Sequence, residues 1–175
     1  MSSFERPNFF SGKLLSAEDL SAEQQYQIGK RKFHNRHLHG WGVVSGLGVK
    51  TQGGNVLVSP GIAIDCEGND LVVDETVNVP APSMNDARNT VYVVVAYKEH
   101  KTNPVTTPVN GDLEWDRIAE CYETSLANTN ANAGHRHSNG RWIPCGQSHA
   151  ITLARLQKQP NGWRVDRRYR PPKAR

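Results

Sequence analysis

The residues of this chain best suited to chemistry are His135, His137, Cys145 and His149, a His-x-His followed eight residues later by a Cys-x-x-x-His. Imidazole and thiolate are the usual zinc ligands, and the Gly- and Asn-rich stretch that carries them could wrap an ion, with Cys121 on the preceding segment as a further candidate. The spacing fits no compact zinc template, and loops rich in Asn and His also occur without metal. Four protein ligands would leave no open position for a water, so a zinc held here would be structural. The expectation is therefore no cofactor, with structural zinc at these four residues as the exception to test.

A second histidine group, His34, His37 and His39, closes a helical stretch. His34 and His37 stand at i and i+3, neighbours on one helix face, but the negative end of the helix dipole favours His there without any ligand. Asp65, Glu67, Asp70, Asp74 and Glu75 form acidic turns without the spacing of a calcium loop, and acidic turn residues between strands are ordinary. Gly40-x-Gly-x-x-x-Gly46-x-Gly48 follows a helix and precedes a strand, the reverse of what phosphate-cradling glycine motifs need. No Ser-His-Asp arrangement can be drawn. The expected class is non-enzymatic.

Those glycines have a structural use instead. They permit positive φ and close backbone approach, letting a chain that leaves a helix bend sharply into a sheet while Trp41 fills the junction. Upstream, residues 4–15 hold Pro7, Phe9, Phe10, Gly12, Leu14 and Leu15, an apolar arm whose side chains need somewhere to be buried. Ser16 with Asp19 three residues on predicts a capped helix start, with acids in the opening turns and Lys30, Arg31, Lys32 and Arg36 near the end. Gly40 predicts the stop, giving a helix over 17–39.

After Gly42 the period changes. Short β-branched runs from Val43 to Val79, broken by Gly- and Pro-containing turns, predict a meander of strands, and 90–97 is the strongest strand. Pro104 and Pro108 in a polar stretch predict a loop over 98–111, followed by a strand over 117–126. A long insertion at about 127–148 exceeds ordinary loop length, and 150–156 with 163–165 predicts a closing hairpin around Gln159-Pro-Asn-Gly162. The fold class is mainly β: an N-terminal α-helix packed on an antiparallel β-sandwich or barrel-like domain. Its organisation reads as arm and helix over 1–40, a β domain over 41–166, and a basic tail over 167–175.

At 175 residues the chain suits one well-cored domain, and a mean hydropathy of -0.63 with 15 Gly and 10 Pro favours short elements joined by turns. No apolar run is long enough for a membrane span, and the opening residues lack a secretory pattern, which gives the expectation of synthesis in the cytoplasm of the producing cell. Three cysteines exclude a full disulfide framework. Net charge is +4, yet from Arg155 onward eight Lys or Arg stand against Asp166 alone, leaving 13 basic and 16 acidic residues before that point. Such a tail reads either as a solvated terminus or as an extended segment lying along a neighbouring subunit, with Tyr169, Pro171 and Pro172 favouring the extended form. Nucleic acid is not the expected partner.

The stretch Asn8-Phe-Phe-Ser-Gly-Lys-Leu-Leu-Ser-Ala-Glu-Asp-Leu20, with Glu23-Gln-Gln-Tyr26, Lys30-Arg-Lys32, Leu38-His-Gly-Trp-Gly-Val-Val-Ser-Gly-Leu-Gly-Val49 and Val58-Ser-Pro-Gly-Ile-Ala-Ile-Asp65, resembles small proteins of contractile phage tails and phage-tail-like injection systems. The match covers the first half well and later segments more faintly. The resemblance implies a structural component of a virion tail or injection particle, in the tail, baseplate or fibre, with no enzymatic activity. Combined with the arm and the extended tail, it gives the expectation of self-assembly as a trimer or hexamer, beside other tail or baseplate proteins, through Phe9, Phe10, Leu14, Leu15 and Trp41. Two alternatives belong to other classes: a carbohydrate or surface-binding module using the 127–148 loop with Trp142, and a zinc-containing enzyme.

Overall fold

Helix α1, Ala17–His34, starts where the sequence places it. The Ser16 hydroxyl accepts from the Asp19 N–H at 3.3 Å while the Ser16 N–H donates back to the Asp19 carboxylate at 3.4 Å, a reciprocal capping box. Lys13, 2.8 Å from the same carboxylate, holds Asp19 below the usual carboxylate range. The helix does not run regularly to Gly40. Residues Asn35–His39 wind into a π turn closed by the Gly40 N–H on the Asn35 carbonyl at 2.9 Å, and Gly40 ends it at φ +73°. The computed structural model describes residues 4–133 and 150–175.

Among the described residues ten strands follow: β1 Gly42–Gly46, β2 Val49–Gln52, β3 Asn55–Val58, β4 Gly61–Ile64, β5 Asp70–Val73, β6 Val77–Pro80, β7 Thr90–Thr106, β8 Leu113–Ala127, β9 Ile151–Gln159 and β10 Gly162–Val165. Every named pairing is antiparallel. The first six are not one meander. They divide into two three-stranded sheets, ordered β1-β4-β5 and β2-β3-β6, because β1 skips its hairpin neighbour to pair with β4. The remaining four form a sheet ordered β10-β9-β7-β8.

The inward faces of all three sheets build one core in a sandwich-like arrangement. Val56, Val58, Ala63, Leu71 and Val73 come from the small sheets, and Val91, Val93, Val95, Ile151, Leu156 and Trp163 from the large one. Opposite Val93 and Val94, β9 carries one extra residue, Leu153, and this bulge resets its alternation so that Leu153 and Ala154 both enter the core.

The expected loop over 98–111 is overturned. β7 continues through it to Thr106 and pairs with β8 as far as Thr106 opposite Leu113, leaving only a short turn. Past Val95, β7 has no partner but β8 among the described strands, so the hairpin runs on beyond β9 as a two-stranded ribbon. Proline, which has no N–H to give to a ladder, is tolerated in edge strands of this kind. Asn103, at φ +57°, interrupts the ladder without shifting its register, and its side-chain amide donates to the Asp116 carboxylate across the hairpin at 2.9 Å.

The basic tail lies along its own chain. Val43 donates to the Pro172 carbonyl at 2.8 Å, Ala174 donates to the Val43 carbonyl at 3.2 Å, and Arg175 donates to the His39 carbonyl at 2.8 Å. Gly42 leaves room for this: a Cβ there would stand 2.6 Å from the Pro172 carbonyl. Tyr169 anchors the start of the segment, its hydroxyl meeting the side chains of Asn132 at 2.9 Å and Asn130 at 3.2 Å. Asp166 turns the chain into the tail, accepting from the Arg168 N–H at 2.8 Å and from the Arg155 guanidinium.

The Arg168 N–H first, and Arg155 second, hold Asp166 below the usual carboxylate range. A carboxyl depressed in the folded state stabilises it fully above the unfolded value, near pH 4, and that stabilisation is lost as pH falls through the folded value. Tail docking should therefore be constant from neutral pH down to about 4 and weaken below it. Amide exchange at Arg168 and Ala174 reads this directly, and protection that stays flat in stronger acid would remove Asp166 from the account.

Candidate assembly surface

The arm that precedes α1 folds back beside it. Phe4 meets Tyr26 edge-on at 6.3 Å and Phe33 at 5.5 Å between ring centroids, passes over Gly29, and receives the Lys30 ammonium 4.9 Å above its ring. Sequence reasoning missed Phe4; its signal was Gly29, the one glycine inside the helix. The four arm residues picked from sequence come to the surface together. Phe9 and Leu15 are about half exposed, Phe10 is 65% exposed and Leu14 90%. Trp41 does not join them, being half-buried against the main core.

No residue of α1 is buried, and Leu20, Ile28 and Phe33, with Leu38 in the π turn, are exposed. An isolated helix of this length is marginal in water, so its stability has to come from packing. The moorings of α1 to the β body gather at its base. Arg31 reaches Asp70 at 3.4 Å and Glu120 at 3.1 Å. Asn35, itself buried, donates to the Gly68 carbonyl at 2.9 Å and to Asp70 at 2.7 Å. Gly68, at φ +88°, lies so close that a Cβ would fall 2.4 Å from the Lys32 carbonyl.

Above that base an open groove of 720 Å³ separates α1 from the β7–β8 ribbon. Ile28, Trp115 and Ile118 give it apolar walls, and Glu23, Glu99, Asp116 and Glu120 outnumber Arg117 among its charges. The arm over 4–15, by contrast, carries Arg6 and Lys13 against the single acid Glu5.

The other candidate residues fall out differently. His135, His137, Cys145, His149 and Trp142 lie outside the described residues. Among the described residues no group of three or more His, Cys, Asp or Glu side chains could hold a metal ion. The acidic turns are structural: Asp65 accepts from the N–H groups of Glu67 and Asn69, and Asp70 receives the helix base. His34 and His37 do not pair. The His37 ring lies 4.2 Å from Phe33, and His34 faces His39 across the π turn. No disulfide joins Cys66 to Cys121. No helix among the described residues is long and apolar enough to cross a membrane.

An N-terminal helix moored at its base to a three-sheet antiparallel body is a fold shared with baseplate proteins of known structure. Over 98% of its length the chain superposes on 62% of a chain in the TssK-TssF-TssG baseplate subcomplex of the type VI secretion system, with a TM-score of 0.59 and 14% identity. Over 97% it superposes on 42% of a chain in the type VI baseplate complex, with a TM-score of 0.57 and 15% identity. Over 98% it superposes on 42% of crystalline TssK, with a TM-score of 0.54 and 12% identity. The chain thus spans between 42% and 62% of the length of these three, and at such identities the likeness is one of fold. No protein-family model matches the sequence, and no curated protein does.

Proposed function

We propose that the chain is a non-enzymatic structural component of the baseplate of a contractile phage tail or phage-tail-like injection particle, assembling through its N-terminal arm and helix. One observation carries the reading: an 18-residue helix with no buried residue, led by an arm that presents Phe9, Phe10, Leu14 and Leu15 to solvent. A surface of this kind on a folded protein is an interface waiting for a partner. The fold shared with TssK chains supports the baseplate setting, and the sequence resemblance to phage-tail-like systems points the same way. The first partner is a second copy of this chain, in a closed trimer or hexamer, and further baseplate proteins complete the set. The groove between α1 and the ribbon is the seat for a neighbour's arm, because its walls are apolar and its rim acidic while the arm is apolar and basic.

Sedimentation of the full chain should show a concentration-dependent oligomer. Replacing Phe9, Phe10, Leu14 and Leu15 together with Ser should leave a folded monomer of unchanged melting temperature. Association should weaken by roughly a thousandfold or more, since truncating buried interface anchors costs about 2 kcal/mol each. Trp115→Ser, on the receiving side, should weaken it in the same direction. A wild-type chain that stays monomeric at high concentration would end the self-assembly reading.

A further inference from the structure

We propose that His34 and His39 form a binding site for a borderline divalent transition-metal ion, zinc in the first place, with the two Nε2 atoms as ligands. These atoms lie 3.2 Å apart. Two imidazoles bound to one ion at about 2.0–2.1 Å stand roughly 2.9–3.4 Å apart for angles between square and tetrahedral. The rings therefore already stand at the separation a shared ion needs.

The π turn creates this approach. On a regular helix the neighbours of His34 would be His37 and Leu38, at i+3 and i+4. The extra residue in the turn, closed from Gly40 N–H to Asn35 O, brings i+5 opposite i instead. Single π turns of this kind are frequent at functional sites.

His39 is also set in the tautomer that ligation requires. Its Nδ1 stands 2.9 Å from the main-chain oxygen of Arg175, which can only accept, so Nδ1 carries the hydrogen and Nε2 is the nitrogen left to ligate, facing His34. A ligating histidine whose far nitrogen donates to a carbonyl is the usual outer arrangement around a bound metal. The tail clasps His39 a second time through the Arg175 N–H on its carbonyl at 2.8 Å. Nearby positive charge is partly answered. Arg31 is committed to Asp70 and Glu120, and Arg36 stands beside Glu67 and Asp65. His34 is exposed and His39 half-buried, so an ion between them is reached from the solvent side and its remaining positions fall to water or to a neighbouring molecule. Bound there, the metal would tie the base of the helix to the docked tail.

Equilibrium dialysis against zinc with elemental analysis tests the assignment, using the full chain. One equivalent should be lost in His34→Gln and equally in His39→Gln, and retained in His37→Gln. It should also survive simultaneous replacement of His135, His137, Cys145 and His149, which removes any contribution of that segment. Deleting residues 173–175 should weaken binding about 10- to 100-fold through loss of the carbonyl that orients His39. Nickel, which binds such sites more tightly than iron or cobalt, should broaden the amide resonances of residues 33–41 and 173–175 selectively. Zinc uptake that is the same in wild type, His34→Gln and His39→Gln, or no uptake at all by the wild type, would overturn the proposal.

Discussion

Gly46→Ala is expected to abolish folding of the β body at ordinary temperature. Gly46 sits opposite Gly61 where β1 pairs with β4, at φ +63°, and an added Cβ would lie 2.1 Å from the Pro60 carbonyl oxygen and 2.7 Å from the Gly61 Cα. All the atoms it meets belong to backbone, so no side-chain rotation can relieve the overlap. The same corner holds Leu47, buried in the core at φ +55° and tied by its N–H to the Pro60 carbonyl at 3.1 Å, so neither strand can shift without dragging a core residue. Left-handed backbone alone costs an alanine roughly 1–2 kcal/mol. With the overlap added, a loss above about 4 kcal/mol is expected, most of the margin of a typical domain. Gly48→Ala is the control, since its Cβ would meet only the Ser59 hydroxyl at an ordinary 3.4 Å and its φ is not positive. Urea titration of both decides the matter: similar midpoints would show that close approach is not what Gly46 provides.

Asp65→Ala is expected to cost about 3–5 kcal/mol and to free the base of the helix. The carboxylate is fully buried and accepts from Glu67 N–H at 2.9 Å, Asn69 N–H at 2.9 Å and Asn69 Nδ2 at 2.7 Å. Alanine leaves those donors without it, and Asn69 is buried too. Arg36 loses a carboxylate that, together with Glu67, offsets the downward pull of burial on its pKa. The turn that Asp65 organises presents the Gly68 carbonyl to Asn35, so helical circular dichroism should fall alongside stability. Asp65→Asn should land between, restoring one acceptor while setting an amide against the Asn69 amide. A variant with wild-type stability would show that the turn forms without this carboxylate.

The local code of the chain was legible and its long-range pairings were not. Ser16 and Asp19 marked the helix start, and Gly40 its stop, because capping depends on residues a few positions apart. The π turn was hidden, since it rests on Asn35 reaching Gly68 and Asp70 more than thirty residues away. The closing hairpin at Gln159-Pro-Asn-Gly162 was read correctly from its turn, whereas two prolines masked the ribbon, whose long pairing is a property of the two strands together rather than of either stretch of sequence. Phe9, Phe10, Leu14 and Leu15 read from sequence as side chains in need of burial and stand exposed, whereas Trp41, read both as the filler of the helix–sheet junction and as an assembly residue, is half-buried against the core. The extended character of the tail was visible in Pro171 and Pro172; its seat on Val43 was not.

An 18-residue helix is about 27 Å long, and this one is moored at one end. Mechanically it is a cantilever. A push on the arm at its far tip reaches the body as torque about the Asn35 turn, multiplied by that length, and the C-terminal segment is tied to the same spot through His39. Load entering at either end of the described chain thus converges on one fulcrum.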